Sequence, residues 1–455
     1  MANAQPILRR IPAVEAVLQQ LGDTGLPRPW VLQCVRAEFA RLRKSALIPA
    51  PAEIIATISR ELREVSRRRL QPVINATGVV IHTNLGRAPL CAEAVSALTK
   101  TAQRYSNLEL ELEDGGRGHR GGYVEDSLAL LCQAEAATVV NNCAAALVLM
   151  LRHFTARKPE VVISRGELVQ IGGGFRIPEI LGTSGARLKE VGTTNRTTLQ
   201  DYARAIGHDT GLILKVHRSN FAMEGFVESP SLAELATFAR KRKVPLIEDL
   251  GSGAIVNTAD VPGLAHEPTP AESLRAGATL VCFSGDKLFG GPQAGIIVGA
   301  RRRILELKKD PFFRALRCDK LILAALQATT EAYLGDTSGK GLPTHELMRT
   351  DVAGLRLRAN RLIRRLAGAP ATCAVATCHG QVGGGTLPGS TLNSVALEVR
   401  PRDLPAAELA RRLRIGSPPV IATIARNGVR LDLRTVFPIE DLRIADALAA
   451  ALAAP

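Results

Sequence analysis

Between residues 91 and about 335 the chain alternates short apolar runs with amphipathic segments, and that alternation leaves few folds open. The apolar runs lie at 138–140, 160–164, 212–216, 245–247, 280–283 and 294–298. Each is bounded by glycine, proline or polar residues, as buried strands are. Segments with helical spacing of apolar residues lie between them, 231–241 being one. Strands that alternate with helices pair in parallel, because the helix carries the chain back across the sheet. The expectation is an α/β fold with a mainly parallel sheet covered by helices on both faces. In such sheets ligands bind at the carboxyl ends of the strands.

Two stretches at strand ends carry chemistry. Residues 282–299 read CFSGDKLFGGPQAGIIVG, which places Lys287 on a glycine-flanked turn between two apolar runs, with Ser284 at its start. Glycine lets other atoms approach the backbone closely. A lysine held near buried surface loses its proton readily and serves as a nucleophile or Schiff-base former. A single turn lysine is more often merely solvated; the second stretch changes that balance. Residues 244–247 run into Glu248-Asp249-Leu250-Gly251-Ser252-Gly253, an acid at a strand end followed by glycines. A Schiff base with pyridoxal phosphate needs a lysine and an acid that keeps the pyridine nitrogen protonated. Lys287 and Asp249 are the candidate pair. Glu248 is the alternative acid, since strand alternation puts the two on opposite faces and only one can point at the ring.

The first run of the alternation leads into Asn141-Asn142-Cys143-Ala144, small residues after an asparagine cap. A helix N-terminus offers free N–H groups to a phosphate. A plain capped helix would look the same, but beside the lysine segment Asn142, Cys143 and Ala144 become candidate phosphate contacts. His217, in KVHRSN after another strand, either packs against the cofactor ring or is a core histidine. RALRCDK spaces Arg314, Arg317 and Lys320 three apart, which predicts one helical face, with Asp319 the adjoining acid. Such a row binds an anion or pairs with acids from elsewhere. Arg117-Gly118-His119-Arg120 reads as an exposed loop before a helix that begins near Val124.

The chain has 455 residues, which predicts two or three domains. Its eight cysteines, at 34, 91, 132, 143, 282, 318, 373 and 378, show no metal spacing and read as reduced, buried thiols. No metal is expected. No apolar stretch reaches membrane-spanning length and the N-terminus lacks a signal pattern, so a cytoplasmic location is expected. A net charge of +15 favours a polyanionic partner. Residues 1–70 read as a helical unit, with amphipathic helices at 14–21, 31–42 and 54–65. They hold twelve Lys or Arg against six Asp or Glu, a local charge of +6. Arg41, Arg43 and Lys44 form one cluster, and Arg60, Arg63, Arg67, Arg68 and Arg69 another. A solvated helix face is the plain alternative to a phosphate-contacting surface. Residues 71–90 read as an irregular linker, 91–335 as the catalytic domain, 335–343 as a second linker and 346–455 as a smaller α/β domain. In that last domain the expected elements are a helix at 345–366, a strand at 390–399, a hairpin of 419–424 and 429–433 about Asn427-Gly428, and a closing helix at 440–452.

SGDKLFGGPQAGIIVG resembles the lysine segment of the bacterial selenocysteine synthase (L-seryl-tRNA(Sec) selenium transferase) family. INATGVVIHTNLGRAPL, SRGELVQIGGGFRIPEI, EVGTTNRT and RALRCDK resemble further blocks of that family, in its order, and the resemblance spans about residues 7–450. It implies a fold-type I pyridoxal phosphate enzyme with an added N-terminal tRNA-binding domain. Lys287 would carry the cofactor and Asp249 would pair with its pyridine nitrogen. Seryl-tRNA(Sec) would lose its β-hydroxyl to leave an aminoacrylyl group, to which selenium from selenophosphate adds. Arg87, Arg120, Arg314 and Arg317 would bind the selenophosphate. The active site would lie between subunits of a homo-oligomer, a ring of dimers that is commonly a decamer. The chain departs from the family pattern at Cys143, where asparagine is usual, at His119, where serine is usual, and at Thr423, where arginine is usual. Two other classes remain. A pyridoxal phosphate lyase acting on a small amino sugar or amino acid would lack the N-terminal unit. A tRNA-binding protein with a decayed site would have lost Lys287 or Asp249.

Overall fold

In the computed structural model, which describes residues 11–45, 47–170, 174, 176–426 and 428–453, the chain divides into two compact units. The first, up to Val73 together with Arg414–Pro419, contains helices α1 (Val14–Leu21), α2 (Arg28–Leu42) and α3 (Pro51–Arg67). Proline opens α2 and α3, where its missing N–H leaves no bond unmade. Gly22 closes α1 at φ 61°, a left-handed conformation that favours glycine. Val17, Val35, Phe39, Ile54, Ile58 and Leu62 form this unit's core. Glu38 is buried beside them and accepts two hydrogen bonds from Arg41, at 2.7 and 2.6 Å.

The second unit, Ile74–Leu413 with Val420–Pro455, contains two sheets. Residues 71–90 are not an irregular linker, because they hold β1 (Ile74–Ala76) and β2 (Val79–Ile81). The larger sheet comprises β3 (Ala136–Val140), β4 (Glu160–Ser164), β5 (Arg187–Val191), β6 (Thr210–Val216), β7 (Leu246–Gly251), β8 (Leu280–Ser284) and β9 (Gly295–Gly299). Its order is β3-β9-β8-β7-β6-β4-β5, parallel except for the pairings of β9 with β3 and β8. This is the expected α/β architecture. All six apolar runs are strands; β5 was not foreseen, being a partly exposed edge strand of sequence RLKEV. Charged residues on an edge strand discourage further pairing and hide the strand from a hydrophobicity reading. Alternation sends Val281 and Phe283 into one core and Leu280 and Cys282 into the other. The second core includes Ala146 and Leu147 of helix α4 (Cys143–Thr155), so α4 and Cys282 share a face of the sheet.

The smaller sheet adds β10 (Ala371–Gly383), β11 (Thr391–Pro401), β12 (Val420–Ala425) and β13 (Gly428–Asp432), in the order β1-β12-β13-β11-β10-β2. β1 and β2 are separated only by Thr77 and Gly78 yet take the two ends of this order, so the sheet is strongly curled. The expected hairpin is present as antiparallel β12 and β13, while Asn427 lies outside the described residues. The helix expected at 345–366 is two helices, Pro343–Arg349 and Val352–Arg365. They break where the Asp351 side chain accepts from Gly354 N and caps the second.

Candidate active site

Three strand ends and one helix start meet at a cavity of about 650 Å³. β7 brings Asp249, and the His217 N–H just past β6 donates to the Asp249 carbonyl at 2.8 Å. β8 brings Cys282, whose Sγ lies 3.7 Å from Asp249 Oδ1. Cys143, the first residue of α4, places its Sγ 3.5 Å from the same oxygen. The cap of α4 is Asn142, whose Oδ1 accepts from Ala145 N at 2.9 Å. Asn142, Cys143, Ala144, His217 and Ser284 all line the cavity with Asp249 and Lys287. Glu248 is buried on the opposite side of β7 and lines a different cavity with Lys215 and Glu167. Asp249 is therefore the acid that faces Lys287.

The turn after β8 holds Lys287 by its backbone. Gly285 N donates to Ala294 O at 2.9 Å, Gly291 N to Gly285 O at 2.8 Å and Leu288 N to Ser252 O at 3.0 Å. Behind the turn, buried Tyr333 donates its hydroxyl toward the carbonyls of Leu288 (3.3 Å) and Phe289 (3.0 Å). That hydroxyl also lies 2.8 Å from His345 Nε2, and burial pushes the His345 imidazole down to about 4. Lys287 Nζ donates to Gly385 O at 3.5 Å. A Cβ on Gly385 would sit 2.6 Å from that Nζ, and Gly385 has φ +79°. Glycine suits that conformation, and a side chain there would displace the Lys287 amine.

Burial sets the protonation of this pair. It lowers the Lys287 amine below the ordinary lysine range, partly offset by Cys143 and Asp249. It raises the Asp249 carboxyl, opposed first by Lys287. Arg87 adds to the lowering of Lys287 and is held by Asp286, with Nη1 3.1 and 2.8 Å from the two carboxylate oxygens. Arg87 adopts φ 65°, a left-handed conformation uncommon for a non-glycine residue. His217 Nε2 lies 3.1 Å from Glu267 Oε1, both atoms buried. A buried amine, a buried carboxylate facing it and a helix N-terminus on the same cavity fit pyridoxal phosphate in size and in chemistry.

Arg120, Arg314 and Arg317 line a second cavity, of about 330 Å³. Arg314, Arg317 and Lys320 do not share one helical face. Helix α5 (Pro311–Ala315) ends after Arg314, Arg317 forms an isolated bridge with Val140, and Lys320 opens helix α6 (Lys320–Gly335). Asp319 caps α6 through Leu321 N and Ile322 N and is not their ion partner. Of the three, Arg317 has an acid partner, Glu109, which lies 3.3 Å from it, 2.9 Å from Arg120 and 3.0 Å from Arg117. The hydrogen bond from Arg120 is the main cause holding the Glu109 carboxyl below its usual range. Arg317 Nε is buried with no partner among the described residues. Arg87 belongs to the first cavity, so one copy of the chain does not gather all four arginines at one cavity.

Gly385, Asp286, Glu267 and Glu109 escaped the sequence reading. Gly385, Asp286 and Glu267 act through partners far along the chain, and Glu109 joins nearby Arg117 and Arg120 to distant Arg317; the glycine run 383–385 was the one local signal. In the first unit Arg41, Arg43, Lys44, Arg60, Arg63, Arg67, Arg68 and Arg69 are all exposed.

Comparison with known proteins places these features in a family. The family model described as SelA, L-seryl-tRNA selenium transferase, matches residues 73–437. The L-seryl-tRNA(Sec) selenium transferase of Moorella thermoacetica is 44% identical over 462 residues, covering 99% of this chain and 98% of that one. The protein of the same name from Aquifex aeolicus is 41% identical over 441 residues, covering 96% and 97%. Among solved structures, D-glucosaminate-6-phosphate ammonia-lyase aligns with a TM-score of 0.60 at 20% identity, over 85% of this chain and 97% of that one, which is a likeness of fold. With most of its length matched by the family model and nearly all of it by the Moorella and Aquifex proteins, the chain belongs to the L-seryl-tRNA selenium transferase family.

Proposed function

We propose that the protein converts L-seryl-tRNA(Sec) to L-selenocysteinyl-tRNA(Sec), with selenophosphate as selenium donor and pyridoxal phosphate as cofactor. The observation that carries this reading is Lys287 and Asp249 facing one cavity, in a chain so similar to relatives named for that reaction. When bound, the cofactor supplies an electron sink for loss of the serine α-proton and β-hydroxyl. Lys287 holds the cofactor, and its lowered proton affinity leaves more of the amine neutral, able to take the α-proton. The Asp249 carboxylate would pair with the pyridine nitrogen of the bound cofactor and favour its protonated form. The N-terminus of α4, at Asn142, Cys143 and Ala144, would hold the cofactor phosphate through backbone N–H groups. His217 and Ser284 bound the ring. Arg87, Arg120, Arg314 and Arg317 bind selenophosphate. Because they line two cavities in one copy, the reading brings them together across a dimer interface in a larger ring, a decamer. Arg41, Arg43, Lys44, Arg60, Arg63, Arg67, Arg68 and Arg69 bind the tRNA, and the enzyme works in the cytoplasm, where its tRNA is made and used.

The test is selenium transfer to seryl-tRNA(Sec), followed together with the visible absorption of lysine-bound cofactor. Lys287→Ala is expected to lose both. A Lys287→Ala protein that keeps turnover, with cofactor on another lysine, would overturn the assignment.

A further inference from the structure

We infer that Cys143, Cys282 and Asp249 form a binding site for a thiophilic divalent cation of the zinc or cadmium class in the protein before it takes up its cofactor. The three side chains come from α4, β8 and β7, elements separated by more than a hundred residues in the case of Cys143 and Asp249. Their donor atoms already stand apart by the edges of a metal tetrahedron. Cys143 Sγ lies 4.0 Å from Cys282 Sγ. The two sulfurs lie 3.5 and 3.7 Å from Asp249 Oδ1. Zinc–sulfur bonds of about 2.3 Å and zinc–oxygen bonds of about 2.1 Å at tetrahedral angles give edges of roughly 3.8 Å between sulfurs and roughly 3.6 Å between sulfur and oxygen. All three donors lie within 4.8 Å of one another, with Asp249 and Cys282 buried and Cys143 half-buried at the cavity.

Regular backbone fixes each donor, so little rearrangement is needed for a cation to settle among them. A closed structural zinc site has four protein ligands; this one has three, of which Cys143 and Asp249 line the cavity. Two thiolates and one carboxylate carry three negative charges. A divalent cation leaves one, at a site whose cavity Lys287 also lines. Binding moves the two thiol protons to the buffer, and each sulfur gives a lone pair to the metal without change of oxidation state. No oxidant or reductant enters. A fourth ligand, water or a soft anion, would come from the cavity.

Occupancy by the cation opposes uptake of the cofactor, because a carboxylate whose charge is taken by a metal holds a pyridinium N–H weakly. This second half rests on the proposed cofactor reading; the cation site itself does not.

The experiment uses the full chain freed of cofactor and titrated with cobalt(II), a spectroscopic stand-in for zinc. Thiolate-to-cobalt absorption in the near ultraviolet and visible bands of tetrahedral strength, saturating at one equivalent and abolished by zinc, are expected. Cys143→Asn and Cys282→Ala are each expected to lose the thiolate band and to weaken zinc binding at least tenfold. Cys143 is only half-buried, so Cys143→Asn keeps the test valid if Cys282→Ala does not fold by circular dichroism. Absence of a thiolate band in the unsubstituted protein, or its persistence in Cys143→Asn, overturns the site. Zinc-loaded protein should gain lysine-bound cofactor absorption less readily until a chelator is added. Equal uptake of cofactor with zinc still bound would leave the cation site standing and remove the opposition.

Discussion

At the scale of single residues, the charges around Lys287 make opposite demands on its amine. Burial and Arg87 favour the neutral form; Asp249 and Asp286 favour the ammonium. Arg87→Ala removes a cation and releases Asp286 from its ion pair, and both changes raise the proton affinity of Lys287. Asp249→Asn removes an anion and lowers it further. The rate at which cofactor-free protein captures an aldehyde should therefore inflect at higher pH in Arg87→Ala and at lower pH in Asp249→Asn than in the unsubstituted chain. Shifts in the reverse order would mean that the aldehyde reports another lysine. The same sign governs stability. A lysine with lowered folded affinity makes the unfolded chain bind more protons, so its contribution improves as pH rises from that lowered value to about 10.4. Asp249, raised by burial, acts oppositely, its contribution declining as pH rises from about 3.9 through its folded value. Lys287 and Asp249 were legible because each sits in its own local context of strand and glycines. Which of Glu248 and Asp249 faces the cavity was not, since alternation supplies two faces but no direction.

At the scale of elements, what escaped the sequence was how turns meet. Lys287 and Gly385 are 98 residues apart, and no periodicity links a turn of one sheet to a turn of the other. Gly385→Ala would force its Cβ to 2.6 Å from Lys287 Nζ at φ +79°. The expected result is loss of lysine-bound cofactor absorption with a stability loss of about 1 kcal/mol or more from the backbone conformation. Normal absorption in that variant would mean that the turn yields easily. The helical spacing of Arg314, Arg317 and Lys320 misled for a related reason. Asp319 is a strong N-cap, and a cap starts a new helix rather than continuing the old one. The break turns Arg317 toward Glu109, which competes with any anion for Arg117, Arg120 and Arg317. Glu109→Gln is expected to lower the KM for selenophosphate, whereas Arg314→Ala and Arg317→Ala raise it and leave elimination from seryl-tRNA less affected. A higher KM in Glu109→Gln would mean that the acid positions the arginines more than it occupies them.

At the scale of the whole chain, the parallel sheet was legible because each strand and helix is a local pattern. The curled second sheet was not, because β1 and β2 are three residues each and depend on partners more than three hundred residues away. Charge is the property that this scale adds. Of a net +15, the first 70 residues hold +6, and the cavity-lining residues contribute none of that excess. Along α3 the buried positions are Ile54, Ile58 and Leu62, which leaves Arg60, Arg63 and Arg67 at helical spacing on the exposed side. Arg68 and Arg69 follow, and Arg69 also donates to Gly25 O at 3.0 Å. Arg41, by contrast, is already committed to buried Glu38. The exposed arginines of α3 should therefore carry more of the tRNA affinity than Arg41 does. Each phosphate neutralised releases counterions, so log affinity falls against log salt by about 0.7 to 0.9 per contact. Arg60, Arg63 and Arg67 replaced together by alanine should flatten that slope by roughly two to three units, as contacts to phosphate do. Cofactor absorption should be untouched, since none of the three lines the cavity. Arg41→Ala should change the slope less and reduce thermal stability instead, because it leaves Glu38 buried without its partner. Seryl-tRNA binding measured at two or more salt concentrations separates these outcomes. An unchanged slope in the triple variant would move the tRNA contact off α3.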